Sequence, residues 1–151
     1  MCDYSLMGLP SRLAKEGENL VVHRYSTGSM GLGPAVTPPQ GFWANVRAFF
    51  SPATVPVVCV PPGARLLLRD IPSQLQSELG VDSEEEVVLA QTGPLVNSHR
   101  DTFRFRNTKE VLLQRLRAGQ RVRVLDLSLA ETPVPVREER LENPLQTAIR
   151  R

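Results

Sequence analysis

The chain has 151 residues and a formal net charge of +2, with 41% hydrophobic and 23% charged residues and thirteen prolines and ten glycines. That is enough for one domain with a real core, but so many prolines and glycines favour short elements over long helices. Two cysteines cannot build a disulfide framework, no apolar run approaches the roughly 18 residues of a membrane span, and no leader pattern opens the chain, so the expectation is a soluble cytoplasmic protein without a membrane partner.

Asn19 to Tyr25 follows the turn-like Glu16-Gly17-Glu18 and reads as a strand. Thr27 to Gly41 carries four glycines and three prolines and reads as a loop. Phe42 to Phe50 holds bulky residues at 42, 43, 46, 49 and 50, which fit one face of a short helix stopped by Ser51-Pro52. Val55 to Val60 is a β-branched run interrupted by Pro56, expected at a sheet edge or strand start. The Pro61-Pro62-Gly63 turn leads into a strand over 65–69. Ser73-Gln74-Leu75-Gln76 has capping-box spacing, with Gly80 placed to end one or two helical turns. Glu86 to Gln91 returns to β-type composition after the acidic Glu84-Glu85-Glu86, which a solvated turn explains.

The sharpest pattern is Thr102-Phe103-Arg104-Phe105-Arg106, whose alternation turns the phenylalanines inward and the arginines outward. Asn107-Thr108-Lys109 is a turn, and Val111 to Leu116 is either the return strand or a helix through Leu112 and Leu116. Arg121 to Val124 alternates again, but Leu125, Leu127 and Leu129 have the opposite parity. A β-bulge near Leu125, or burial of both faces, reconciles them. From Glu131 the composition is proline-rich and charged, which divides the chain into a β-rich domain over 1–130 and a tail over 131–151.

Charge is distributed unevenly. Residues 1–99 hold six basic and nine acidic side chains, and residues 100–151 hold twelve and seven. The excess includes Arg100, Arg104, Arg106, Arg115, Arg117, Arg121 and Arg123. Such a set suits an anionic partner, but base-reading surfaces interleave exposed aromatics, and here the aromatics face inward. Nucleic acid is therefore not the expected partner, and a solvated outer sheet face is the simpler reading.

The start of the chain, Met1-Cys2-Asp3-Tyr4-Ser5-Leu6, has a further property. Cysteine is small enough to permit removal of Met1, which would place a free α-amine, of pKa about 8, and a thiol on one residue. This block resembles the opening of a family of short uncharacterised bacterial proteins. The segments Val58-Cys59-Val60-Pro61-Pro62-Gly63, His99-Arg100-Asp101 and Gly119-Gln120-Arg121-Val122 are similar to that family too. The stretch from Ser29 to Pro52 departs from its pattern. The resemblance implies no activity, but it directs attention to Cys2, Cys59 and His99 together.

Cys2, Cys59, His99 and His23, with Asp3 or Asp101, form the candidate site. Thiolate and imidazole suit zinc, copper or iron, although the spacing matches no zinc module and there is no Cys-x-x-Cys. The competing reading makes Cys59 a small core residue in a valine-rich strand. There is no nucleophile elbow, Walker loop or dinucleotide fingerprint.

The sequence therefore predicts a mainly β fold, a small antiparallel barrel or sandwich of six to nine strands with one or two short helices. Its function is a thiol or metal site built on those residues. The alternative is a non-catalytic adaptor that holds an anionic or protein partner, or a second copy, with its basic face and the 42–50 segment.

Overall fold

The computed structural model describes residue 6 and residues 8–35, 55–92 and 101–130. Nine strands lie among these residues: β1 (Ser11–Leu13), β2 (Asn19–Arg24), β3 (Met30–Pro34), β4 (Val57–Cys59), β5 (Arg65–Leu68), β6 (Glu85–Gln91), β7 (Asp101–Phe105), β8 (Glu110–Leu112) and β9 (Arg121–Asp126). One helix, α1 (Ser73–Leu79), separates β5 from β6, and a 3-10 turn at Leu113–Arg115 follows β8. Seven strands make an antiparallel sheet in the order β3-β2-β9-β5-β6-β7-β8, while β1 pairs in parallel with β4.

Alternation builds the core as expected. Phe103 and Phe105 are buried and Arg104 and Arg106 are exposed. The register places Phe103 opposite Leu89 and Phe105 opposite Val87, so aromatic and aliphatic side chains meet on the inner face. Leu20, Val22, Leu66, Leu68, Val122 and Val124 continue that layer across the sheet. The parity shift in β9 is a bulge: Val124 pairs with Leu66 and Asp126 with Arg65, leaving Leu125 as the extra, exposed residue.

The turns obey similar logic. Gly63 has φ +87°, and a Cβ there would lie 2.5 Å from the Leu129 carbonyl oxygen, so the turn after Pro61-Pro62 demands glycine. Gly80 adopts the left-handed conformation that ends α1, its N–H bonded to the Gln76 carbonyl. Ser73 does not cap this helix. Pro72 occupies the N-cap with no side-chain bond, and the Gln76 side chain instead donates to the Ile71 carbonyl at 2.7 Å.

Three elements differ from the sequence expectation. Residues 30–34, expected within a loop, form β3; Met30 and Leu32 face the core, while Gly31 and Gly33 leave the opposite face bare for other side chains. Strand β1 has three exposed residues and so no hydrophobic pattern to announce it. The 111–116 segment is strand first and 3-10 turn second, which explains why both periodicities are visible. The aromatic segment 42–50 and the tail 131–151 lie outside the described residues.

No ladder joins the outer strands β3 and β8 among the described residues, but a side chain spans the gap. Gln114 accepts from the Met30 N–H at 2.9 Å and donates to the Met30 carbonyl at 3.0 Å, mimicking a strand partner. On the outer face, ion pairs cross strands. Glu86 receives Arg65 and Arg106, Asp126 lies 3.5 Å from Arg65, and Arg104 meets Glu110. The described helix is too short and polar to cross a membrane.

Candidate functional site

A second, smaller apolar cluster sits on the outer side of β3, away from the main core. It consists of Leu6, Tyr25 and Val57, with Leu9, Val55 and Cys59 packed against it. Its floor is glycine. A Cβ on Gly31 would lie 2.7 Å from Leu6 Cδ1 and 2.9 Å from Tyr25 Cε2, and one on Gly33 would lie 3.1 Å from both the Tyr25 hydroxyl and Val55 Cγ1. The tyrosine ring thus lies flat along a trough that any larger residue would fill. Its hydroxyl donates toward the carbonyls of Leu32 and Pro56, at 3.2 and 3.1 Å, tying β3 to the approach to β4. Burial holds its phenol above the usual tyrosine pKa.

Strand β4 is wedged between the two clusters. Val57 faces Tyr25, Val58 faces the main core, and Cys59 is half-buried against the smaller cluster. Its backbone is pinned by β1: the Val57 N–H donates to the Pro10 carbonyl at 2.8 Å, and the Ala14 N–H to that of Cys59 at 3.0 Å.

A small cavity of about 20 Å³, room for a single water, opens beside Cys59. It is lined by Leu6 from the N-terminal segment, by Gly31, Cys59 and Leu89, and by Asp101 at the start of β7. The Gln91 side chain donates to Asp101 Oδ1 at 3.0 Å, fixing that end of the hairpin.

The sequence candidates fall out as follows. Cys59 is disulfide-bonded, and the only other cysteine in the chain is Cys2. One bond is less than a disulfide framework, and the cysteine count alone does not predict it. His23 lies on β2, half-buried, its ring meeting Tyr25 edge-on with centroids 4.8 Å apart. It therefore touches the cluster through the tyrosine. Cys2, Asp3 and His99 lie outside the described residues. Among the described residues no group of three His, Cys, Asp or Glu side chains is placed to hold a metal ion.

Leu6, Tyr25 and Gly31 were not singled out in the sequence. The signal was present in Met30-Gly31-Leu32-Gly33, where glycine recurs at the strand period and empties one face.

The basic set is largely neutralised by neighbours. Besides the pairs already described, Arg115 meets Glu78 at 3.0 Å, Arg121 meets Asp70 at 2.5 Å, and Arg12 meets Glu18. Glu86 is held below the usual carboxylate pKa by its hydrogen bond from Arg65, then by that from Arg106. No family model, curated protein or solved structure matches this chain.

Proposed function

We propose that Cys2 and Cys59 form a redox-active thiol pair with His99 beside them. In the reduced state this site is competent to hold zinc, copper or iron, with His23 at its margin. The observation that carries the reading is the shared cavity: Leu6, Cys59 and Asp101 line it together. Leu6 is four residues from Cys2, and Asp101 is two from His99. At no more than about 3.6 Å per residue, both candidates are within reach of the Cys59 sulfur. The disulfide state of Cys59 supports the same convergence.

The chemistry balances simply. An external dithiol supplies two electrons and two protons, yielding the two Cys thiols and the oxidised dithiol. A neighbouring imidazole favours the thiolate, the form that attacks disulfides and binds metal. In the cytoplasm, where thiols are kept reduced, such a bond is transient and regulatory rather than a permanent staple. The resemblance to the bacterial proteins with the same opening block belongs to this reading, as does closure of the sheet into a barrel, which the Gln114–Met30 bonds support.

The adaptor alternative draws less support, because the arginine side chains of its basic face are mostly paired with carboxylates. The test is alkylation kinetics and metal content of the reduced full chain, compared with Cys59→Ser, Cys2→Ser and His99→Ala. The expected result is a thiol alkylating fastest in the wild type, slowed by His99→Ala, with bound metal lost in all three variants. Alkylation at the rate of an unperturbed thiol, unaffected by His99→Ala and without metal uptake, overturns the proposal.

A further inference from the structure

A second hollow, of about 260 Å³, lies on the outer face where β2, β9 and β5 run side by side. We propose that it binds the phosphate group of a small molecule, independently of the cysteine site. Its walls include Asn19 of β2, Arg121 and Arg123 of β9, and Arg69, which follows β5. Register explains the grouping. Asn19 pairs with Arg123, Leu67 also pairs with Arg123, and the Arg69 N–H donates to the Arg121 carbonyl at 2.9 Å. Arg121 and Arg123 are two residues apart on one strand, so both project from the same face.

The charges do not cancel here as they do elsewhere on the sheet. Arg121 is bound by both carboxylate oxygens of Asp70, at 2.5 and 2.9 Å, and is fixed. Arg69 Nε lies 3.0 Å from Glu84 Oε2, an ion pair without hydrogen-bond geometry that leaves this buried donor unsatisfied among the described residues. Arg123 is exposed and has no carboxylate partner among the described residues. Among the described residues, the three guanidinium groups that line the hollow thus meet two carboxylates, an excess of one positive charge.

That surplus favours an anionic phosphoryl group, and guanidinium forks suit its oxygens. The volume equals that of about nine liquid waters, room for one or two phosphoryl groups with some hydration. A nucleic-acid strand fits less well. It needs a continuous positive track, and the outer face beyond the hollow is crossed by the carboxylates of Glu86, Glu110 and Asp126.

The test is calorimetric titration of the full chain with inorganic pyrophosphate and inorganic phosphate, repeated for Arg123→Gln and for Arg104→Gln, a paired arginine outside the hollow. Saturable one-to-one binding is expected, weakened about tenfold in Arg123→Gln, or about 1.4 kcal/mol, and unchanged in Arg104→Gln. Arg123 is exposed and has no carboxylate partner among the described residues, and matching amide NMR spectra will show that its variant folds. Absence of saturable binding, or equal weakening by the two substitutions, overturns the site. Tighter binding of a single-stranded oligonucleotide than of pyrophosphate overturns its assignment to small molecules.

Discussion

Replacing Gly31 with alanine tests how the smaller cluster is built. The new methyl carbon would lie 2.7 Å from Leu6 Cδ1 and 2.9 Å from Tyr25 Cε2, distances at which something must move. Tyr25 resists, being buried and tied by its hydroxyl to two carbonyls. Leu6 is the freer partner, so the methyl group is expected to lift it out of the cluster. Exposing one leucine costs about 1.5–3 kcal/mol. The lower backbone entropy of alanine in a strand returns about 0.5–1 kcal/mol. The net loss is about 0.5–2.5 kcal/mol, a fall in Tm of roughly 1–10 °C. Thermal unfolding followed by circular dichroism gives the first readout. The second is Cys59 alkylation after reduction, which should quicken as its cover is displaced. A Gly31→Ala protein as stable as the wild type, with unchanged alkylation, would refute the close packing of Leu6 and Tyr25 on this strand.

Phe105→Ala should cost about 3–5 kcal/mol and Arg104→Ala under about 1 kcal/mol in urea unfolding, and equal losses would contradict the inward turn of β7. Gln114→Leu removes both bonds to Met30, leaving its N–H and carbonyl without those partners, so a loss of about 1–3 kcal/mol and faster exchange of the Met30 amide are expected. Glu18, Asp70, Glu86 and Asp126 all have carboxyl pKa values lowered by their partners. The unfolded chain therefore takes up protons first on acidification. Stability from these groups is complete above the ordinary carboxylate range and is lost as pH falls through their lowered values. Melting curves at pH 6 and pH 3 should show the decline, and 1 M salt should lessen it; a Tm that does not drop contradicts the pairing.

Strong periodicity made much of the fold legible. The alternation in β7, the turn at 107–109, the helix ended by Gly80 and the bulge at Leu125 each leave a local signature, because side-chain parity and glycine conformation are local constraints. Strand β3 was hidden because its outer face is shaped for Tyr25 and Leu6, and only glycine serves there. Strand β1 was hidden because backbone pairing with β4 holds it rather than burial. At the site, Cys59 was legible as a chemical type. Its disulfide was not, because pairing depends on contacts between distant parts of the chain, of which Leu6 against Gly31 of β3 is one.

The convergence of Cys2 on Cys59 is tested most directly by mapping the disulfide in the oxidised full chain. The protein is alkylated under denaturing conditions without reductant, digested by a protease, and the fragments are weighed before and after reduction. The account predicts one fragment pair that joins the N-terminal peptide with Cys2 to the peptide with Cys59 and separates on adding dithiol. Alkylated Cys59 in the unreduced digest, or Cys59 joined to Cys59 of a second copy, would contradict it.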